Sequence, residues 1–200
     1  MNTSPDSEAI FQYHRYMIEL HGNQGTAALG WRDQLSQTVR FKALSTIANL
    51  SGHSVLDAGS GYGDLCSYLL QLYSNITYCG VEQIPELLSQ ATHRYKDQPN
   101  VSFIQANFIT DTLPETDYVM ASGSLNYYNS DPEFIFKAIL KLYSHCKLGL
   151  GFNLLRHVIP NGLIVAYNAD KIMNYCRSLC NHAQLKDDYS DEDFTIFMYR

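Results

Sequence analysis

Long apolar runs, clustered basic charge and paired cysteines are all missing from this 200-residue chain, and each absence removes a class of protein. No uninterrupted apolar stretch approaches the roughly 18 residues of a membrane span. The polar, acidic opening lacks the basic-then-apolar order of an export signal, so a cytoplasmic location is expected. No window gathers four or more lysines and arginines, and 14 basic residues face 20 acidic ones for a net charge of −6. A nucleic-acid backbone or an anionic membrane surface is a poor match for that balance. The five cysteines are odd in number and form no Cys-x-x-Cys pair; reduced, buried thiols are expected rather than zinc or a disulfide framework. No histidine–carboxylate grouping has the spacing of a metal site, and no metal is expected.

What remains is an ordinary globule. An apolar fraction of 46% and a charged fraction of 17% demand burial and set disorder aside. The length suits one domain, and no sequence feature specifies an oligomeric state.

Along the chain, Phe11–Leu20 reads as a short helix that stops at the loop His21-Gly22-Asn23-Gln24-Gly25. Asp33 offers an N-cap to a second helix running to about Leu50, with Leu35, Val39, Ala43, Leu44 and Ile47 on one face. Thereafter strands and helices alternate. Strands are expected at Ser54–Ala58, Thr77–Val81, Val101–Ala106, Asp117–Ser122 and Leu148–Leu154. Helices are expected at Asp64–Leu72, from Pro85 to about Tyr95, and at Pro132–His145. No element is assigned to Arg156–Asn168, which holds His157 and Pro160. Asp170 reads as the cap of a last helix, and Ala183–Tyr189 and Phe194–Tyr199 as an antiparallel pair separated by acidic residues 191–193. Seven strands alternating with helices imply a mainly parallel sheet covered on both faces. Residues 1–50 are expected to form a helical extension or lid over the binding edge of a 51–200 core.

The most informative string is Val55-Leu56-Asp57-Ala58-Gly59-Ser60-Gly61-Tyr62-Gly63-Asp64-Leu65. A buried strand runs straight into three glycines and then into an apolar helix, a turn that brings helix N-terminal donors close to a ligand. The dinucleotide fingerprint needs its third glycine at position 64, which is Asp64. Asp57 is also badly placed for a pyrophosphate and better placed for a cationic amino group. No Gly-Lys-Ser or Gly-Lys-Thr phosphate loop occurs. Glu82 ends the next strand, 25 residues after Asp57, where a carboxylate accepts hydrogen bonds from both hydroxyls of a ribose.

Over roughly residues 35–200 this pattern resembles the class I S-adenosylmethionine-dependent methyltransferases. The features that carry it are Asp57-x-Gly59-x-Gly61-x-Gly63, Glu82, the strand end Gln105-Ala106-Asn107-Phe108, the strand Asp117–Ser122 and the closing strand pair. The resemblance implies a Rossmann-like α/β fold with a seven-stranded, mostly parallel sheet, its last strand antiparallel, and S-adenosyl-L-methionine as cofactor. It places Gly59, Ser60, Gly61 and Gly63 beneath the methionine portion, Asp57 towards the ammonium and Glu82 on the ribose. Asn107 stands where the family often has an aspartate against the adenine amine, with Phe108 and Ile84 beside the ring. Gln83 and Ser122 join them on the cofactor side. Arg40 either reaches the methionine carboxylate or serves as a solvated or ion-paired helix residue.

The N-terminal His21-Gly22, Gly30-Trp31 and Ser36-Gln37-x-x-Arg40-Phe41 are similar to a bacterial group of small-molecule enzymes within that family. Ser122-Gly123-Ser124-Leu125-Asn126-Tyr127-Tyr128 lacks the Asn-Pro-Pro-Tyr of its nucleic-acid and amide methylating members, and no Pro-Cys nucleophile pair appears. Methyl transfer to a small molecule is therefore expected ahead of a protein or RNA acceptor or of noncatalytic cofactor binding. On the acceptor side, Tyr127, Tyr128, His157 and His21 lead the candidates, followed by His14 and Tyr16, while Trp31 could line a lid pocket.

Overall fold

The computed structural model describes residues 5–158 and 162–200; Pro160, noted above, lies outside the described residues. The chain opens with helices α1 (Pro5–His21), α2 (Gly25–Ala28) and α3 (Gln34–Ser45). The core then runs β1 (Ser54–Ala58), α4 (Asp64–Leu72), β2 (Thr77–Glu82), α5 (Pro85–Arg94), β3 (Val101–Gln105), β4 (Thr116–Ala121), α6 (Phe134–Ser144) and β5 (Cys146–Leu155). It closes with α7 (Ala169–Leu179), β6 (His182–Lys186) and β7 (Asp193–Tyr199).

The strands form one sheet in the order β3-β2-β1-β4-β5-β7-β6. The first five strands pair in parallel, and β7 runs antiparallel to both its neighbours. This is the Rossmann-like class I architecture read from the sequence. Strand alternation sorts the core into two layers. Leu56, Ala58, Val119 and Ala121 face α6 and α7, whereas Val55, Tyr78, Tyr118 and Met120 face α3 and α4. Both faces are covered, so the central strands read as continuous apolar runs.

The chain leaves β1 towards one face and β4 towards the other, and these strands are neighbours. A crevice opens at their carboxyl ends because the connections diverge there. The N-terminal helices close over it. Ile10, Phe11, Ile18, Ala28 and Leu29 pack with Tyr62, Ile84 and Leu87, which belong to the glycine turn and the start of α5. Hydrogen bonds join the rim: Arg15 to Glu86 at 3.0 Å, Tyr62 Oη to Asn23 at 2.8 Å and Ser130 Oγ to Asp6 at 2.7 Å.

Three local expectations change. On the expected face of α3, Ala43, Leu44 and Ile47 are buried, but Leu35 is 71% exposed. Ser36, Gln37, Arg40 and Phe41 also turn inward, because the first half of the helix walls the crevice and only its second half meets apolar core. Asp33 does cap it, with a capping box to Ser36. The cap of α7 is Asn168, whose side chain accepts from Lys171 N at 2.9 Å, and Asp170 sits in the first turn where the helix dipole favours an acid. Asp193 belongs to β7 rather than to the acidic separator, and it is buried. No described helix is long and apolar enough to cross a membrane.

Asp193 is buried because Arg40 meets it. Both Nε and an Nη of Arg40 lie 2.8 Å from one Asp193 oxygen, and Ser190 Oγ donates to the other at 3.1 Å. Burial raises the Asp193 carboxyl against the opposing pull of Arg40. Removing one partner leaves the other charge stranded. Asp193→Ala is predicted to lose about 3–5 kcal/mol of unfolding free energy in a urea titration; a loss below about 1 kcal/mol would show that the pair does not tie α3 to the sheet.

Candidate functional site

Strand alternation places Asp57 on the α3/α4 side of the sheet, where the ring of Tyr78 lies two strand positions back in the facing register. The Tyr78 hydroxyl donates to Asp57 Oδ2, while Oδ1 is buried with no hydrogen-bond partner among the described residues. Burial pushes the Asp57 carboxyl up to about 7, against the hydrogen bond from Tyr78 that favours ionisation. Ser60 Oγ, one turn on, is likewise buried without a partner. Both orphaned atoms belong to residues lining a single cavity of about 520 Å³, within the range of small-molecule sites. An unsatisfied buried acceptor costs free energy unless a ligand meets it.

Glu82 ends β2 and is 5% exposed. Its Oε2 accepts from Gly61 N at 2.8 Å and its Oε1 from Ile84 N at 2.9 Å. Burial raises its pKa, and the Ile84, Gly61 and Gln83 N–H groups hold it back. Each oxygen has a second lone pair, so the carboxylate can still accept from a ligand diol.

The glycine turn differs in one respect from the expected cradle. Gly59 N and Ser60 N both donate to Val81 O, and Gly63 N donates to Ser60 O. With Gly61 N on Glu82, the N–H groups of Gly59, Ser60, Gly61 and Gly63 are engaged within the protein. The turn therefore offers shape: Gly59 and Gly61 have φ of 82° and 55°, and a Cβ there would lie 2.4 Å from Ser124 Cβ and 3.0 Å from Leu29 Cδ2 respectively. Gly63 does not line the cavity. It caps α4 at φ 74° against the rings of Phe103 and Tyr95.

Other expected cofactor residues fall on the same cavity: Gln83, Asn107, Phe108 and Ser122, with Ile84. Asn107 Oδ1 accepts from Ile109 N at 2.9 Å, fixing the loop after β3. Ser122 Oγ faces Asn153 Oδ1 at 3.4 Å. Arg40 lines the cavity too, but its guanidinium is held by Asp193 and by Ser36 O at 2.6 Å, with Trp31 stacked 4.8 Å away. Its partner is thus structural.

The acceptor-side candidates divide. Tyr127, Tyr128 and His14 line the cavity, and His14 Nε2 lies 2.7 Å from Tyr127 Oη. His21, His157 and Tyr16 do not line it. His21 ends α1 in solvent, His157 is exposed beyond the end of β5, and Tyr16 is 60% exposed on the outer face of α1. Gln37, quoted above within Ser36-Gln37-x-x-Arg40-Phe41 but given no site role, is buried, lines the cavity and donates to Asp64 Oδ2 at 3.1 Å. Its signal was a polar side chain beside Arg40 on the stripe that α3 turns inward. Among the described residues, no group of three or more His, Cys, Asp or Glu is arranged to hold a metal.

The raised Asp57 carboxyl has a sign that can be checked. Unfolded, this group titrates near 3.9, so the fold disfavours its ionisation between about pH 4 and about pH 7. Its contribution is complete below the unfolded value and is lost as pH rises through the folded one. Asp57→Asn is predicted to gain stability relative to wild type across that interval, with a constant difference above it. Urea unfolding at five pH values tests this, and a pH-independent difference would refute it.

Residues 55–147, slightly under half of the chain, match the family described as methyltransferase domain. A Mycobacterium tuberculosis protein, Rv1506c, which carries a provisional methyltransferase name, is 37% identical over 73 residues. That match spans 36% of this chain and 42% of the relative. Among solved structures, the magnesium protoporphyrin IX methyltransferase of Synechocystis PCC 6803 with bound S-adenosylhomocysteine superposes with a TM-score of 0.72 at 15% identity. The match covers 98% of this chain and 99% of that one. Human N-acetylserotonin methyltransferase in complex with S-adenosylmethionine gives 0.71 at 17% identity, covering 99% of this chain and 60% of that one. Identities this low speak for the fold alone. The sheet order and the glycine turn between β1 and α4 give this chain the class I methyltransferase fold, and residues 55–147 match a methyltransferase domain.

Proposed function

We propose that the protein transfers the methyl group of S-adenosylmethionine to a small-molecule acceptor in the cytoplasm. The observation that carries this reading is the pair of buried carboxylates, Asp57 and Glu82, on either side of the glycine turn and facing one cavity. Glu82 accepts the ribose hydroxyls on its remaining lone pairs. Asp57 Oδ1 and Ser60 Oγ, both without hydrogen-bond partners among the described residues, receive the ammonium end. Phe108 and Ile84 flank the adenine, and Asn107 faces its edge. Gln37 is added to the set, beside the methionine carboxylate.

The cofactor supplies a methyl group already activated on a sulfonium, so the chain's own task is positioning and exclusion of water. The N-terminal helices act as the cover: Leu29 lies on Gly61, and Trp31 and Tyr127 also close on the cavity. Residues 1–50 are thus a lid on the core rather than a separate unit. A small acceptor is supported by this enclosure, and the solved neighbours named above have small acceptors in their own names. The cytoplasmic setting is supported by five free cysteines.

Isothermal calorimetry with S-adenosylhomocysteine tests the cofactor half. Glu82→Gln is predicted to weaken binding by about 1.5–3 kcal/mol, the contribution of a hydrogen bond to a charged group. Wild-type affinity is predicted to rise with pH up to about 7, because the ammonium prefers ionised Asp57, and Asp57→Asn is predicted to flatten that rise. Binding of NAD without either adenosyl compound would refute the reading. Release of S-adenosylhomocysteine across a panel of phenols, amines and carboxylic acids tests the transfer itself.

A further inference from the structure

The wall behind Asp57 is built from β2. Gly80 stands beside Asp57 in the parallel register, as Tyr78 stands beside Val55, so Tyr78 and Gly80 share the sheet face of Asp57. Gly80 brings no side chain, and a Cβ there would lie 2.4 Å from Phe103 Cδ1 and 2.7 Å from Ser60 Oγ. The space next to Asp57 is filled from two sides instead, by the Phe103 ring of β3 and by Ser60 of the glycine turn. The Tyr78 ring packs 5.9 Å from the Phe103 ring, and its hydroxyl meets Asp57 Oδ2. Tyr78 is 1% exposed and stands behind the lining, whereas Asp57 and Ser60 are part of it. Asp57 Oδ1 and Ser60 Oγ are the buried atoms left without hydrogen-bond partners here, among the described residues.

The direction of the Tyr78–Asp57 hydrogen bond follows from the chemistry of the pair. An ionised carboxylate has no proton to give, so the phenol must donate. Burial pushes the Tyr78 phenol well above its ordinary range, so it keeps that proton while Asp57 titrates. Burial opposes the charge on Asp57 most, Tyr78 favours it, and Glu82 at the end of β2 and Asp64 in the first turn of α4 oppose it. The nearby thiols of Cys66 and Cys79 are raised by burial and stay uncharged. The guanidiniums on the packed helices are engaged elsewhere, Arg40 of α3 on Asp193 at 2.8 Å and Arg94 of α5 on Asp64 at 2.6 Å. The Tyr78 hydroxyl is thus the group that supports a charged Asp57 from behind, and it does so on the oxygen opposite Oδ1.

We propose that Tyr78 is a positioning residue for the cofactor: its hydroxyl anchors Asp57 through Oδ2, favours the charged carboxylate and presents Oδ1 to the ammonium of the amino-acid tail. The inference rests on the methyltransferase reading, since it concerns how the same cavity recognises one end of the adenosyl ligand. Tyr78 touches no ligand and acts through Asp57. Two consequences separate this role from that of a ring that packs. The hydroxyl matters to an adenosyl compound that carries the amino-acid tail and not to one that lacks it. Its effect also fades once the pH is high enough to ionise Asp57 without help.

The test is calorimetry on the full chain at pH 7 and pH 8.5 with two probes, S-adenosylhomocysteine and 5′-methylthioadenosine, which lacks the tail. Loss of a hydrogen bond to a charged group moves the Asp57 titration up by about one pH unit. With wild-type Asp57 half-ionised at about 7, Tyr78→Phe is expected to weaken S-adenosylhomocysteine about fivefold at pH 7 and less than about twofold at pH 8.5. Methylthioadenosine is expected to stay within about twofold at both, which also shows the variant folded. In an Asp57→Asn background, Tyr78→Phe is expected to change S-adenosylhomocysteine binding less than about twofold. Weakening of both probes together, up to loss of both, places the hydroxyl in the packing of the sheet and overturns the inference. So does a loss of equal size at the two pH values, or one that persists in the Asp57→Asn background. A wild type that binds neither probe sinks the methyltransferase reading itself, whereas the other adverse results arise with wild-type binding intact, so the two failures are separable.

Discussion

One carboxylate holds the site together. Glu82 accepts from Gly61 N in the turn after β1 and from Ile84 N at the start of α5. Two connections that leave neighbouring strands are therefore fixed to a single buried group. Desolvation of that group is unfavourable, and the N–H donors offset it by favouring the charged form. The geometry of the glycine turn follows, because Gly59 N and Ser60 N close on the Val81 carbonyl and Gly63 N on that of Ser60. What faces the ligand is a preset backbone contour and the spare lone pairs of a carboxylate. Preorganised acceptors of this kind need little rearrangement when a diol arrives.

The second constraint is the cover. A crevice at the carboxyl ends of β1 and β4 would be open to water if the chain began at β1. Helices α1 and α2 lie over it, tied by Asn23 to Tyr62, by Arg15 to Glu86 and by His14 to Tyr127. Exposed ion pairs such as Arg15–Glu86 contribute little. Packing of Ile10, Phe11, Ile18 and Leu29 against Ile84 and Leu87 is the stronger attachment, since apolar burial scales with area. Helix α3 joins cover and core through the buried Arg40–Asp193 pair. The glycine turn, the strand ends and the N-terminal helices thereby line one cavity.

Much of this was legible in the sequence for physical reasons. Strands buried on both faces appear as short apolar runs, and a strand followed by alternate glycines and an apolar helix has few other uses, so the sheet and the Asp57–Glu82 pair could be placed in advance. Helix α3 was harder. Its apolar residues suggested a face through Leu35, but the helix buries polar side chains where it lines a cavity, and hydrophobic periodicity cannot see a cavity. The engagement of Arg40 depended on Asp193, 153 residues away, which read as one of three acids separating two strands. The meeting of His14 with Tyr127 was equally nonlocal. His21 and His157 offered the same imidazole chemistry, and only the tertiary fold separates them from His14.

The central claim is that Glu82 holds a ribose while Asp57 and Ser60 receive an amino-acid tail. A crystal structure with S-adenosylhomocysteine tests it most directly. The account predicts both ribose hydroxyls within hydrogen-bond distance of the Glu82 carboxylate and the ammonium on the Asp57 side of the turn. An adenosyl group bound elsewhere, or ribose hydroxyls that leave Glu82 untouched, would contradict it.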